Sequence, residues 1–354
     1  MKMCQAFAKN DCDVTLFAAK SDGFEGTQQD LFTEYDVEQN FHLQFIKRLK
    51  IKGFWGLVYI QQLLKIIKKL GAPDLFYGRH APSLLALSLK HPAIDVSYEA
   101  HALPFGFFRK LIEKRLLKNK SFTKLVVISE ILKQDYLQLF PFLEKEDVIV
   151  AHDGADLAKS SLEPMKLKGS ASIKAGYIGK LTEGKGLGII LGAAQKSPKI
   201  DFHIFGGNQA ELEHWQSRAK DSKNIFFYGH VSHGDLKNIY PSLDIMLAPL
   251  QDKMPLFKGK WDIGRWTSPL KIFEYMAQAK AIIASDSVVL REILQHNKTT
   301  LLINSTHVEK WVEAIEILGR SKEKREQLGQ AALFLLEENY TWHIRAKKIL
   351  SVFK

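Results

Sequence analysis

Residues 268–277, SPLKIFEYMA, place a carboxylate, Glu274, among apolar side chains in a segment that opens like a helix waiting for an anion. Ser268 can N-cap, Pro269 suits the first helical position, and the free N–H groups of Leu270 and Lys271 follow, an arrangement that binds phosphate. Leu270, Phe273, Glu274 and Ala277 share a helical face by spacing, so the carboxylate points where apolar groups point and needs a partner. Lys271, three residues earlier, is one candidate partner; sugar hydroxyls are the other. A second cluster is YIGKLTEGKGLG, residues 177–188, a strand running into a glycine-rich turn that opens a helix. Gly179 lets a backbone approach a ligand, and Lys180 and Lys185 bring two cations to a helix start, which makes a phosphate cradle. The spacing is neither a Walker loop nor the dinucleotide fingerprint. A third is IFGGN, with Gly206 and Gly207, followed by FYGHVS, with His230 and Val231; each puts glycine at a strand end, where a ligand can come close. In the first half, Glu99 and His101 lie in YEAHALP after a buried strand, and Arg79 and His80 end another.

The elements that must position these residues alternate. Short β-like runs at 14–19, 42–46, 75–77, 94–98, 125–128 and 148–151 are separated by helical patterns, notably 54–70, 82–89, 107–117 and 130–139. A Ser/Pro/Lys/Gly-rich stretch at 159–172 reads as a linker. The alternation then resumes, with strands at 173–178, 201–205, 225–228, 244–248, 281–284 and 300–303. Helices are expected at 186–195, 210–220, 233–240, 269–278 and 308–318, then from Ser321, and finally after Thr341, which can N-cap the last one. This predicts an α/β protein of two facing Rossmann-like, doubly wound domains, with ligands in the cleft beyond the carboxyl ends of the strands. The boundaries read as 1–165, 166–338, and a C-terminal helix at 339–354 that packs back on the first domain.

Composition removes several function classes. With 354 residues, 46% hydrophobic and 25% charged, the chain has the make-up of a folded protein of two domains. No run approaches the roughly 20 apolar residues that span a bilayer, and the N-terminus lacks the apolar core of a signal peptide, so the reading is cytoplasmic. Cys4 and Cys12 are too few for a disulfide framework or a zinc site, and the histidines lack metal-ligand spacing. No metal and no cofactor are expected. The net charge of +11 concentrates in the first half, where residues 41–70 carry seven Lys/Arg and no acid. Phe54, Trp55, Leu57 and Tyr59 lie beside Lys47, Arg48, Lys50 and Lys52, and Phe105, Phe107 and Phe108 beside Arg109 and Lys110. Such mixtures fit the face of an anionic membrane, peripherally on the inner membrane, as well as a solvated surface. No nucleic-acid module is recognisable, and the basic residues lie among bulky aliphatics rather than on a stacking platform, so nucleic acid is not expected as a partner.

Taken in order, the IGKLTEGKG turn, IFGG, FYGHV, the DIMLAPL strand, SPLKIFEYMA and the AIIASD strand resemble the donor-binding half of glycosyltransferase family 4, within the group 1 superfamily. VVISE, VIVAHDGAD and YEAHALP resemble first-half segments of that family. The resemblance implies a GT-B fold and metal-independent transfer of a sugar, with retention of anomeric configuration and front-face chemistry, from a UDP- or GDP-sugar to a glycan or lipid-linked acceptor. It implies further that Lys180 and Lys185 neutralise the diphosphate and that Glu274 holds the ribose hydroxyls. The backbone near Gly179, Gly206, Gly207, His230, Val231 and Ser268 to Lys271 would line the donor, and His101 would stand in the cleft, with Arg79 and Glu99 toward the acceptor. Trp266 falls where the family places another glutamate eight residues before Glu274. The segment MKMCQAFAKNDCDVTLFAA resembles the family's first helix and second strand, with the preceding strand and glycine-rich loop absent. The alternative reading keeps the fold and sugar-nucleotide binding but removes turnover; a basic nucleic-acid-binding protein ranks below both.

Overall fold

A computed structural model of the protein describes residues 1–20, 26–47, 55–158, 164–251, 255–256, 261–262, 264–266 and 268–353. Two compact units emerge, Met1–His152 together with Ala346–Lys354, and Asp153–Arg345.

The first unit runs α1 (Lys2–Ala8), β1 (Thr15–Ala19), α2 (Gln28–Glu34), β2 (His42–Ile46), α3 (Trp55–Leu70), β3 (Leu75–Gly78), α4 (Ala81–Lys90), β4 (Asp95–Ala100), α5 (Phe107–Leu117), β5 (Phe122–Val127), α6 (Glu130–Leu139) and β6 (Val148–Val150). All pairing is parallel, but it falls into two pieces, β1-β2 and β3-β4-β5-β6. Among the described residues no strand joins β1 to β3. Helix α2 was not expected from periodicity, yet Thr27 and Asp30 form a capping box that fixes its start.

The second unit contains β7 (Ile173–Ile178), α7 (Leu187–Lys196), β8 (Ile200–Phe205), α8 (Gln209–Arg218), β9 (Ile225–Gly229), α9 (Leu236–Ile239), β10 (Ile245–Ala248), a hairpin of β11 (Pro255–Leu256) and β12 (Trp261–Asp262), α10 (Leu270–Ala277), β13 (Ala281–Ser285), α11 (Val288–Arg291), β14 (Leu301–Ile303), α12 (Val308–Arg320), α13 (Lys322–Asn339) and α14 (Trp342–Leu350). Residues of α14 from Ala346 onward group with the first unit. Six parallel strands form one sheet in the order β14-β13-β10-β7-β8-β9. Alternate residues serve opposite faces. Met246 and Ile282 join one apolar cluster with Phe205, Phe273, Tyr275 and Leu290, while Leu247 and Ile283 join another with Tyr177, Phe202, Ile204 and Trp311. Both faces are therefore covered, which is why β13 is apolar throughout and buried at every position.

Candidate functional site

The strand order of the second unit locates its ligand site before any side chain is considered. Counting from β7, the chain winds outward through β8 and β9, then returns to the other side of β7 to add β10, β13 and β14. The direction reverses between β7 and β10, and ligands of doubly wound sheets bind beyond the carboxyl ends of the strands at this reversal. The residues there are Gly179 to Gly186 after β7, Pro249 after β10, and the start of α10.

In the loop after β7, Gly179 has φ 145° and donates its N–H to the Phe205 carbonyl at 2.9 Å. The Tyr177 hydroxyl donates to the Lys180 carbonyl at 2.7 Å. Tyr275 of α10 braces the same strand end, its hydroxyl accepting from the Ile178 N–H at 3.0 Å. Gly186 caps α7 in the left-handed region, at φ 78°, and a Cβ there would collide with the Pro249 carbonyl, so the two sides of the reversal touch through backbone. Gly206 has φ 119° and packs against the Gly179 carbonyl, while a Cβ on Gly207 would run into Leu181. At each of these glycines a side chain would meet the chain's own atoms, so close packing requires glycine there. Lys180 is exposed, and burial followed by Lys180's charge lowers the Lys185 pKa. His230 is exposed and Val231 half-buried just past β9.

Helix α10 departs from its expected start. Pro269 is the N-cap, helical geometry begins at Leu270, and no side chain caps the first turn; Thr267 lies outside the described residues. Leu270 is 47% exposed, so it does not share the buried face with Phe273. Glu274 and Lys271 do not pair, although their spacing allows it. Glu274 Oε2 accepts from the buried Tyr240 hydroxyl at 3.1 Å. Lys271 turns instead toward β7, its Nζ 3.8 Å from the centroid of the Tyr177 ring and 2.8 Å from where a Gly179 Cβ would stand. Burial, and then Lys185, bring its pKa down to about 7. Trp266, where a second carboxylate was expected, is buried.

In the first unit the expected residues also gather. Glu99, at the end of β4, is 1% exposed, and its carboxylate accepts from the Tyr77 hydroxyl, from Arg79 Nε at 2.9 Å and from His101 Nε2 at 2.6 Å. Glu99 was expected toward an acceptor, but it lies beneath the surface and holds the half-exposed Arg79 and His101 in place. His80 turns away from this group, its Nδ1 2.8 Å from Ser83 Oγ. Beneath the following loop, buried Glu113 meets the hydroxyls of Tyr98 at 3.0 Å and Tyr136 at 2.8 Å, and Tyr136 also reaches the Ala102 carbonyl at 3.2 Å. Burial raises the Glu113 pKa, and the hydrogen bonds from Tyr136 and Tyr98 and the charge of Arg109 oppose that rise.

The brackets provided by Tyr77, Tyr177, Tyr240 and Tyr275 were not anticipated. The available signal was a phenol in an apolar segment, whose hydroxyl must find a partner when buried. Of the basic aromatic stretches, Phe107 and Phe108 on α5 are largely exposed, as is Leu57 on α3. Arg48, Lys50, Lys52 and Phe54 lie outside the described residues. Among the described residues no group of three or more His, Cys, Asp or Glu could hold a metal ion, and no helix is long and apolar enough to cross a membrane.

Residues 163–333 match the family described as glycosyl transferases group 1. Spore coat protein SA of Bacillus subtilis is 25% identical over 191 residues, which cover 50% of this chain and 48% of that relative. The match therefore spans about half the length of each. Among solved structures, Anabaena HepE in complex with UDP and glucose is similar at 16% identity with a TM-score of 0.71, covering 99% of this chain and 94% of that one. Sucrose-phosphate synthase from Thermosynechococcus elongatus is similar at 14% and 0.73, over 99% and 91%, and a glycosyltransferase from Rickettsia africae at 17% and 0.72, over 100% and 92%. The fold is that of the GT-B glycosyltransferases, with Rossmann-like parallel sheets.

Proposed function

We propose that this protein is a glycosyltransferase, in keeping with the match of residues 163–333 to the glycosyl transferases group 1 family, and that it moves a sugar, with retention of configuration, from a nucleoside-diphosphate sugar to a glycan or lipid-linked acceptor in polysaccharide or glycolipid synthesis. The observation that carries the reading is the convergence of Lys180, Lys185, the uncapped start of α10 and Glu274 at the strand-order reversal of the second unit. Departure of a nucleoside diphosphate leaves negative charge on its phosphates, and preorganised cations and N–H groups aimed there stabilise the transition state without a metal. Glu274, braced by Tyr240, is assigned to the ribose hydroxyls, and the backbone near Gly179, Gly206, Gly207, His230, Val231 and Ser268 to Lys271 to the rest of the donor. In the first unit Arg79 and His101, held by Glu99, are assigned to the acceptor and the reacting sugar. The exposed Phe107 and Phe108 on basic α5 support peripheral contact with an anionic membrane that carries a lipid-linked acceptor.

The test is release of UDP or GDP from a panel of nucleotide sugars, with candidate glycan and glycolipid acceptors and EDTA present. The product's anomeric configuration is read by NMR. Acceptor-dependent release with retention is expected; inversion, or release abolished by EDTA, would contradict the mechanism. One observation favours a second reading, sugar-nucleotide binding without transfer: Trp266 occupies the place of a carboxylate and is buried. Tight donor binding with no turnover on any acceptor would select that reading.

A further inference from the structure

Two buried side-chain donors flank the first turn of α10, and neither has an acceptor. Among the described residues the helix start also receives no side-chain cap. Ser268 Oγ and Lys271 Nζ are both buried, and neither has a hydrogen-bond partner among the described residues. Buried polar atoms are nearly always satisfied, so two orphans one turn apart, beside an uncapped helix start, require an explanation. The Lys271 ammonium rests on the Tyr177 ring, a weak substitute for an anion, and fills the space that Gly179 leaves by lacking a Cβ. The residue as a whole is only half-buried, so its stem borders solvent while its tip is tucked under the loop.

We propose that the Lys271 ammonium and the Ser268 hydroxyl are themselves ligands of the donor diphosphate, Lys271 swinging from the Tyr177 ring to a phosphate oxygen when the nucleotide arrives. This goes beyond the backbone N–H groups of α10 and the Lys180 and Lys185 pair, and it rests on the reading of the second unit as a donor site. A diphosphate supplies only acceptors and so suits a buried ammonium and hydroxyl whose donors are unsatisfied. The flexible four-carbon stem permits the swing. Gly179 then has a specific reason to be glycine, since any side chain there would occupy the resting place of the ammonium.

The charged and titratable groups around Lys271 are Lys180 and Lys185 from the loop, Tyr177 from β7, Glu274 and Tyr275 from α10, and Tyr240 behind Glu274. Burial and then Lys185 lower the pKa of the amine to about 7, with Glu274 opposing them. A bound diphosphate reverses that balance, so binding draws a proton from the buffer onto Nζ.

The experiment compares wild type with Lys271→Met and Ser268→Ala by calorimetric titration of UDP and GDP in buffers of different ionisation enthalpy, with uridine and guanosine as controls. Lys271→Met should weaken the diphosphate that wild type binds by roughly ten- to a hundredfold, the range of one charge-assisted hydrogen bond, and leave the nucleoside unchanged. Wild type should take up more protons on binding at pH 7 than the variant. The ligand-free variant should melt no lower than wild type, because methionine fills the same space without an orphaned amine. A smaller loss of diphosphate affinity is expected for Ser268→Ala. Unchanged diphosphate affinity in Lys271→Met would overturn the assignment, as would a lowered melting temperature with equal loss of nucleoside binding, the signature of a structural lysine. Failure of wild type to bind either diphosphate would overturn this assignment and the donor-site reading together.

Discussion

Replacing Glu274 by glutamine isolates the charge of one acceptor. Of its two carboxylate oxygens, Oε2 is taken by the Tyr240 hydroxyl at 3.1 Å, and Oε1 accepts no hydrogen bond among the described residues. Glutamine keeps the length and an acceptor for Tyr240, so the fold should be indifferent to the change. What disappears is the anionic partner for ribose. A hydrogen bond to a charged group contributes about 1.5–3 kcal/mol, against about 0.5–1.5 kcal/mol for a neutral one. If Oε1 holds a ribose hydroxyl, the difference of about 1–1.5 kcal/mol means that Glu274→Gln should raise the dissociation constant of the nucleoside diphosphate by roughly 5- to 15-fold. Tyr240→Phe, which removes only the brace, should raise it by roughly 2- to 10-fold. Inorganic pyrophosphate, which has no ribose, should bind both variants as it binds wild type. Calorimetric titration with UDP, GDP and pyrophosphate, together with a melting curve of each free protein, makes the comparison. Retention of full nucleoside-diphosphate affinity by Glu274→Gln would refute the assignment of ribose to this carboxylate, and so would a parallel loss of pyrophosphate binding.

Other outcomes follow from the same structure. Glu99→Gln leaves three donors around one fewer charge at a site 1% exposed, and should destabilise the protein by about 3 kcal/mol in urea unfolding and lower turnover through misplacement of His101. His203 is fully buried, stacked on Phe226, and its pKa is pulled down to about 4, chiefly by burial. Because the folded-state value lies below the ordinary one near 6.5, stability is complete above about pH 6.5 and falls as the pH drops toward 4, by about 3 kcal/mol in all. His203→Phe should flatten the denaturation midpoint over that window, and an unchanged pH dependence would show that another group titrates. Gly186→Ala puts a Cβ into the Pro249 carbonyl at positive φ, and should cost more than about 2 kcal/mol in urea unfolding while displacing Lys185.

The second unit was readable because its strands are buried on both faces, so runs such as 281–285 are apolar throughout and stand out between helical patterns. Its motifs fell at strand ends for the same reason. Long-range partners were not readable. Spacing of three residues makes Lys271 and Glu274 neighbours on a helix surface, but one chose Tyr177 and the other Tyr240, choices made by tertiary packing. Ser268 has the right chemistry for an N-cap, yet α10 starts after Pro269 and leaves the serine hydroxyl buried and unbonded. In the first unit, YEAHALP identified Glu99 and His101 but could not tell which was surface and which support, because Tyr77 and Arg79 come from a different strand. Glycines at strand ends read as openings for a ligand. At Gly206 and Gly207 a side chain would also meet the protein's own atoms, a packing requirement that shows only once what packs opposite is known.

The central claim is that the strand-order reversal of the second unit binds a nucleoside diphosphate and its sugar. It is tested most directly by thermal unfolding with UDP, GDP, their glucose and mannose conjugates, and the matching monophosphates. The predicted result is stabilisation by the diphosphate and sugar conjugate of one base, greater than that by its monophosphate and greatly reduced in Glu274→Gln. A melting temperature indifferent to every diphosphate and conjugate would contradict the account.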